Sequence, residues 1–256
     1  MQNSDIAIQH QATFRIRSSE IDPNKKLAVP ALFQLLHETA MQHVQELKIS
    51  VFDLEPLGLA WVLMRQHLRV LRLPGLGEQV RVFTYPSGYE RMFTYRDYHL
   101  YDESGACLAT SSTTWFMMDI RTRKAVGMPA PILALLKGQS SPLAHLDRCD
   151  SRLPVFGTAN TQTFFQVHWY DLDFNGHLNN VVFSRWMLEG MPEGFHRTHT
   201  LLDFQIHFKA EAALGDVLSC EVAQTAAGTF QHRLIRSSDQ REAAIATSHW
   251  QGLSSD

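Results

Sequence analysis

Two stretches of this chain spell the same pattern. Residues 20–27 read EIDPNKKL and residues 171–178 read DLDFNGHL, so acid–aliphatic–Asp–x–Asn–x–x–Leu recurs at an offset of 151. A helical apolar stripe follows each copy: Leu32, Leu35, Leu36 and Val44 in the first, Val182, Phe183, Trp186 and Met187 in the second. Glu38 and Glu189 fall at the same place in both. Beyond the helix the offset shrinks to 138, where Leu68, Val70 and Gly77-Glu78 correspond to Ile206, Phe208 and Gly215-Asp216. CLATSSTTW (107–115) then parallels AIATSHW (244–250). Matches in one order with a drifting offset mark a duplication, and it dictates the fold class. Each copy reads as strand, loop, one long helix and several antiparallel strands, an α+β unit whose sheet buries the helix. Alternation at Tyr95, Asp97, His99 and Tyr101 predicts a half-exposed strand.

The organisation expected is therefore an N-terminal unit over 1–138, a linker over 139–160 and a C-terminal unit over 161–256. The linker region is rich in Ser, Pro, Gly and Asp, lacks periodicity and should lie over the surface. A length of 256 residues accommodates two such units. Lys and Arg number 23 against 26 Asp and Glu, a net charge of −3, which excludes the broad basic footprint of a nucleic-acid binder. Three cysteines at wide spacing form neither a disulfide framework nor a CxxC knuckle. The start, MQNSDIAIQHQ, lacks the basic and apolar regions of a signal peptide, and the richest apolar run, Ile132–Leu136, is too short to span a membrane. A cytoplasmic protein is expected.

The copies differ most in the loop. From Tyr170 to Asn180 the second copy gathers Asp171, Asp173, Asn175, His177, Asn179 and Asn180. In the first copy His177 corresponds to Lys26 and Asn179-Asn180 to Ala28-Val29, while Asp22 and Asn24 persist beside Pro23. The second loop alone keeps an ionisable histidine and is the candidate reactive one. It precedes a helix, whose first N–H groups are unpaired and electropositive and can hold a carbonyl oxygen as it becomes an oxyanion. An adjacent carboxylate and imidazole could activate water or hold the substrate. Asp171 and Asn180 are read as helix caps, whereas Asp173, Asn175 and His177 together exceed what capping needs.

Leu172-Asp173-x-Asn175-x-His177-x-Asn179-Asn180, followed by Trp186-x-Leu188-Glu189, resembles the signature of the acyl-ACP thioesterases, enzymes that release fatty acids from acyl carrier protein. Ala109-Thr110-Ser111 followed by Trp115-Phe116-Met117-Met118-Asp119 is similar to that family's ATS…WVMMN segment, with Asp119 in place of Asn. The resemblance runs from about Phe14 to Trp250. It implies a tandem (double) hotdog fold, two antiparallel sheets each wrapped around one long helix. It also implies hydrolysis of an acyl thioester, with the acyl chain held by the N-terminal unit and the chemistry supplied by the C-terminal one. By motif position the catalytic group it implies is Asp173, Asn175, His177 and Glu211. Many plant members have a cysteine directly after that acidic residue. Here the position is Ala212, and Cys220 is eight residues further on, so water must be the attacking species.

Other readings stay open at this point. The D-x-D-x-x-G-H-x-N-N pattern also fits single-hotdog acyl-CoA or aryl-CoA thioesterases. Hotdog hydratases carry D-x-N-P-x-H, whereas Gly176 follows Asn175 here and Asp173 and His177 are four apart. A non-enzymatic acyl-binding protein is a further alternative, as is a metal site from His168, Asp171, Asp173 and His177, with His168 on a strand ending at Tyr170. The preferred reading needs no cofactor or metal and takes acyl carrier protein as partner, with a homodimer possible. An acidic carrier calls for a local basic patch. Arg121-Thr122-Arg123-Lys124 is the densest candidate, with Lys25-Lys26, Lys137, Arg148 and Arg152 as others. Trp61, Met64, Trp115, Phe116 and Met117 could equally line an acyl tunnel or fill the core.

Overall fold

The computed structural model describes residues 9–136, 143–150 and 152–253; Met1–Ile8, read above for leader features, and Lys137 lie outside the described residues. In the first half, β1 (His10–Arg15) leads through the Asp22 loop into α1 (Val29–Glu46), followed by α2 (Val51–Leu54), β2 (Leu59–Val70), β3 (Gln79–Glu90), β4 (Phe93–Asp102), β5 (Cys107–Asp119), β6 (Lys124–Val126) and α3 (Ala130–Leu136). The second half holds β7 (Thr161–Gln166), α4 (Asn180–Glu189), α5 (Phe195–Thr198), β8 (His199–Phe208), β9 (Val217–Ala226), β10 (Thr229–Arg236) and β11 (Arg241–Gly252). The strands form one antiparallel sheet in the order β1-β3-β4-β5-β2-β8-β11-β10-β9-β7, with β6 added to β5. Read from either edge the order is the same, each strand facing its repeat. These are the two α+β units expected from the duplication, in the tandem hotdog arrangement that the family resemblance implies. The halves meet where β2 pairs with β8, from Arg65↔His207 to Arg69↔Asp203.

The two long helices lie on one face of this sheet and pack on each other. Pro30 suits the first turn of α1, where the missing N–H would be unpaired anyway. Leu32, Phe33, Leu35 and Leu36 of α1 and Val182, Phe183, Trp186 and Met187 of α4 share one core with Leu68, Phe204 and Ile206 of the central strands. Val44, read as part of the α1 stripe, instead packs partly buried against a second cluster around Leu47, Ile49, Leu54, Met117 and Ile132. Among the described residues no helix is long and apolar enough to cross a membrane.

In the connection between the halves, the described residues 143–150 and 152–160 form a strap over the opposite face, and they correct the reading of β4. Asp97 is fully buried and His99 nearly so. The Leu146 amide donates to Asp97 (3.0 Å), Tyr85 Oη donates to the Ala144 carbonyl (2.9 Å), and Arg148 donates to Ser87 Oγ (2.7 Å) while stacking 4.2 Å over the Tyr95 ring. Further along, the Gly157 amide donates to Gln231 Oε1 (2.8 Å). Alternation correctly separates the two faces, but the strap removes the second face from water.

Two sites expose the tightness of the second core. A Cβ added at Gly190, just after α4, would meet Cys220 Sγ at 2.6 Å and Val222 Cγ2 at 3.3 Å. Gly190→Ala should therefore destabilise the protein by about 1–3 kcal/mol, as overpacking does; an unchanged urea midpoint would contradict this. His232 lies buried between the Met187 carbonyl at 3.0 Å from Nδ1 and Ser248 Oγ at 2.7 Å from Nε2. Burial pushes its imidazole down to about 4. Below the ordinary value near 6.5 the unfolded chain takes up a proton that the folded one refuses. Stability should thus fall as pH drops from about 6.5 to 4, and His232→Gln should flatten that slope in urea titrations.

Candidate active site

The two repeated loops are folded by the same device. Asp22 Oδ1 accepts the N–H groups of Asn24 (2.9 Å) and Lys26 (3.2 Å), and the Asp22 amide donates to the Lys26 carbonyl (2.8 Å). Asp173 Oδ1 accepts those of Asn175 (2.8 Å) and His177 (3.2 Å), and the Asp173 amide donates to the His177 carbonyl (2.8 Å). The corner residue takes positive φ in both, 61° at Lys25 and 76° at Gly176, and glycine meets that demand without a Cβ penalty. One oxygen of Asp173 is thus committed to shaping the loop, as its counterpart is in the copy that lost the histidine.

The remaining polar residues sort differently from the sequence reading. Asn179, not Asn180, caps α4: its Oδ1 accepts the Val181 N–H at 2.9 Å. Asn180 is the first helical residue and its backbone N–H has no acceptor within the helix. Asp171 accepts from the His168 amide (3.0 Å) and from Arg185 Nη2 of α4 (3.0 Å), so it ties the loop to the helix rather than capping it. His168 is not on a strand and no strand runs to Tyr170; β7 stops at Gln166 and the Asp171 bond folds Trp169–Asp171 into a tight turn.

A cavity of about 560 Å³ opens beside this loop and is walled by both halves. Asp173, Asn175, Asn179 and Asn180 line it from the second half. His37, Met41, Trp61 and Trp115 are among its walls from the first. Trp61 Nε1 donates to the Ile49 carbonyl (2.9 Å) and Trp115 Nε1 to Thr113 Oγ1 (2.8 Å), which satisfies their polar edges. Of the remaining large apolar candidates, Met117 is fully buried in the second cluster, while Met64 and Phe116 are not wall residues. The α1 wall residues were missed in the sequence; the signal was the polar pair His37-Glu38 inside an apolar helix. Burial holds the His37 imidazole at about 4, hence neutral.

His177 and Glu211 stand next to the cavity rather than in its wall. Their Nε2 and Oε2 atoms are 3.4 Å apart, and both side chains are half-exposed. His177 is joined to the wall through its amide, which Asp173 holds. Arg123, from the turn between β5 and β6, contacts the same Glu211 oxygen. Arg236 Nη1 donates to the Glu211 carbonyl (2.9 Å). A tighter pair, His67–Asp203 at 2.7 Å, lies beside the strap, away from the cavity. Among the described residues no three or more His, Cys, Asp or Glu side chains are arranged to hold a metal ion.

Ala212 is buried, and the Leu178 amide donates to its carbonyl (2.8 Å). Burial pushes the Cys220 thiol up to about 12, and also raises Cys149 and Cys107. None is a ready thiolate. Of the basic candidates, Arg148 is spent on the strap and Arg123 on Glu211, while Arg121, Lys124, Lys25, Lys26 and Arg152 are exposed.

The acyl-ACP thioesterase N-terminal domain matches residues 7–136, and the C-terminal domain of the same enzymes matches 157–252. The chain belongs to the acyl-ACP thioesterase family. It is 27% identical over 222 residues to the chloroplastic dodecanoyl-[acyl-carrier-protein] hydrolase of Cinnamomum camphora, covering 80% of this chain and 57% of that protein. Of the palmitoyl-acyl carrier protein thioesterase of Cuphea hookeriana, 27% identical, it covers 61%. The chain thus spans about three fifths of the length of these curated relatives. The acyl-ACP thioesterase of Bacteroides thetaiotaomicron superposes with a TM-score of 0.83 at 20% identity, covering 98% of this chain and 100% of that one. This likeness carries the tandem hotdog fold of the family.

In this acyl-ACP thioesterase family member the buried thiols should be silent. A thiol-reactive disulfide reagent at neutral pH should label Cys107 at most in the native protein, and Cys149 and Cys220 only after denaturation. Rapid native labelling of Cys220 would show its burial to be wrong.

Proposed function

We propose that this protein hydrolyses the thioester of fatty acyl-ACP and releases the free fatty acid. The observation that carries the reading is the shared cavity: one apolar space whose wall contains the polar loop of the second half and the helix and tryptophans of the first. On this reading residues 1–138 hold the acyl chain, 161–256 supply the chemistry and 139–160 join them.

The catalytic assignment is Asp173, Asn175, His177 and Glu211. Water attacks the thioester carbon, and His177 takes its proton as general base while Glu211 orients the imidazole. The carbonyl oxygen becomes an oxyanion facing the Asn180 N–H at the start of α4 and the Asn175 side-chain amide. Collapse breaks the C–S bond, and His177 returns its proton to the departing carrier thiol. Asp173 acts by holding the loop: its carboxylate fixes the amides of Asn175 and His177. Support for water rather than thiol attack comes from Ala212 and the raised cysteine thiols.

An acidic carrier would approach over the β5–β6 turn, where Arg121 and Lys124 are exposed beside Arg123. Three free cysteines suit a reducing compartment, and we place the reaction in the cytoplasm.

Thiol release measured across acyl-ACP and acyl-CoA of several chain lengths tests the reading. Turnover should be faster on the carrier protein, and His177→Ala or Asn175→Ala should lower it by about 10²-fold or more. Full activity in a folded His177→Ala variant would remove the mechanism, and faster turnover of acyl-CoA at matched concentration would change the carrier.

A further inference from the structure

Arg123 belongs to the half of the molecule that carries no candidate catalytic residue, yet it reaches across to the other half's glutamate. The turn that presents it is closely specified. Strands β5 and β6 pair at Met117↔Val126, Met118↔Ala125 and Asp119↔Lys124, leaving residues 120–123 as the connection. Asp119 Oδ1 accepts from the Thr122 N–H (2.7 Å) and Oγ (2.9 Å), and the Arg123 amide donates to the Asp119 carbonyl (2.9 Å). Arg123 itself holds φ at 57°, a left-handed conformation costly for a residue with a Cβ. β6 is three residues long and, among the described residues, pairs with β5 alone.

On the other side, Glu211 lies in the segment that follows β8. That segment is fixed by the Lys209 and Ala210 amides donating to the Ala243 carbonyl (2.8 and 3.1 Å) and by Arg236 on the Glu211 carbonyl. These bonds fix the backbone and leave the carboxylate free to rotate. What restrains it is the guanidinium: Arg123 Nη2 and His177 Nε2 contact the same oxygen, Oε2.

We infer that Arg123 is a positioning residue for the hydrolytic pair, holding the Glu211 carboxylate where its Oε2 faces His177. This assignment rests on the hydrolytic reading above. It also gives the β5–β6 turn a purpose: the half that would receive the acyl chain sets the geometry of the half that would cleave it. An ion pair with both partners half-exposed contributes little to stability, so its loss should register in catalysis rather than in folding.

Steady-state kinetics and thermal melting of Arg123→Gln, Arg123→Lys, Glu211→Gln and the double variant Arg123→Gln/Glu211→Gln test it. Arg123→Gln should lower kcat by about 10–100-fold, the scale of orienting partners, with KM and melting temperature unchanged. Arg123→Lys should recover most of the loss, and the double variant should be no slower than Glu211→Gln alone. A rise in KM with kcat intact would make Arg123 a carrier-docking residue and overturn the inference. So would a double variant slowed by the product of the two single effects. If the wild-type protein cleaves neither acyl-ACP nor acyl-CoA, the hydrolytic reading fails by itself. The positioning claim is then decided by the ¹⁵N resonance of His177 Nε2. Arg123→Gln matching Glu211→Gln sustains it, and Arg123→Gln matching wild type overturns it.

Discussion

The pairing of β2 with β8 is the constraint on which the rest of the molecule depends. Each half alone would end in a strand of ten or more residues with an unpaired row of N–H and C=O groups. Pairing these edges satisfies both rows and makes one sheet. Leu68, Phe204 and Ile206, all fully buried, lie along this seam, each contributing about 1.5–3 kcal/mol by burial. On the strap side the seam carries His67, Arg69 and Asp203, with Asp147 of the strap 3.4 Å from Arg69. Exposed ion pairs of this kind contribute about 0–1 kcal/mol. The apolar side therefore holds the halves together, and the charged side fixes register and seats the strap.

Joining the halves at the sheet centre also places α1 and α4 side by side and brings the loop before α4 against α1 and the first half's sheet. The cavity is a product of that apposition. Neither half encloses it alone, which is why its walls draw tryptophans from one copy and amides from the other. The duplicated loop would permit the division of labour proposed above. Its fold needs only an aspartate to bind two amides and a corner residue of positive φ, and the first copy shows that Lys25 suffices at that corner. The positions after the corner are then open to a chemical group in one copy and an inert one in the other.

The repeat, the two long helices and the succession of elements along the chain were legible in the sequence because they are set by period and offset, which survive where individual residues diverge. Positions set by a single hydrogen bond were less so. Asn179 and Asn180 are both good caps by type, and only the register of α4 decides between them. His168 follows a strand but belongs to a turn, because Asp171 three residues on bonds back to its amide. The burial of Asp97 depends on a strap more than 40 residues away in sequence, which no local pattern encodes. The role of Arg123 was hidden for a related reason. A run of basic residues reads as a solvated surface, and its partner stands 88 positions further along the chain.

The exposure of His177 and Glu211 is itself informative about the chemistry. The sequence holds 13 histidines, and burial pushes His37, His207 and His232 down to about 4, so these stay neutral across the working range. A buried neutral imidazole can hold a structure together, as His232 does between Met187 and Ser248, but it cannot readily take a proton from water and return it to a thiol. His177 keeps contact with solvent, with a carboxylate and, through its amide, with the cavity wall. On the mechanism proposed above, the 3.4 Å separation of the pair suits a site that tightens when substrate binds. Ala212, buried and accepting the Leu178 amide, offers no side-chain nucleophile there, in keeping with the water attack proposed above.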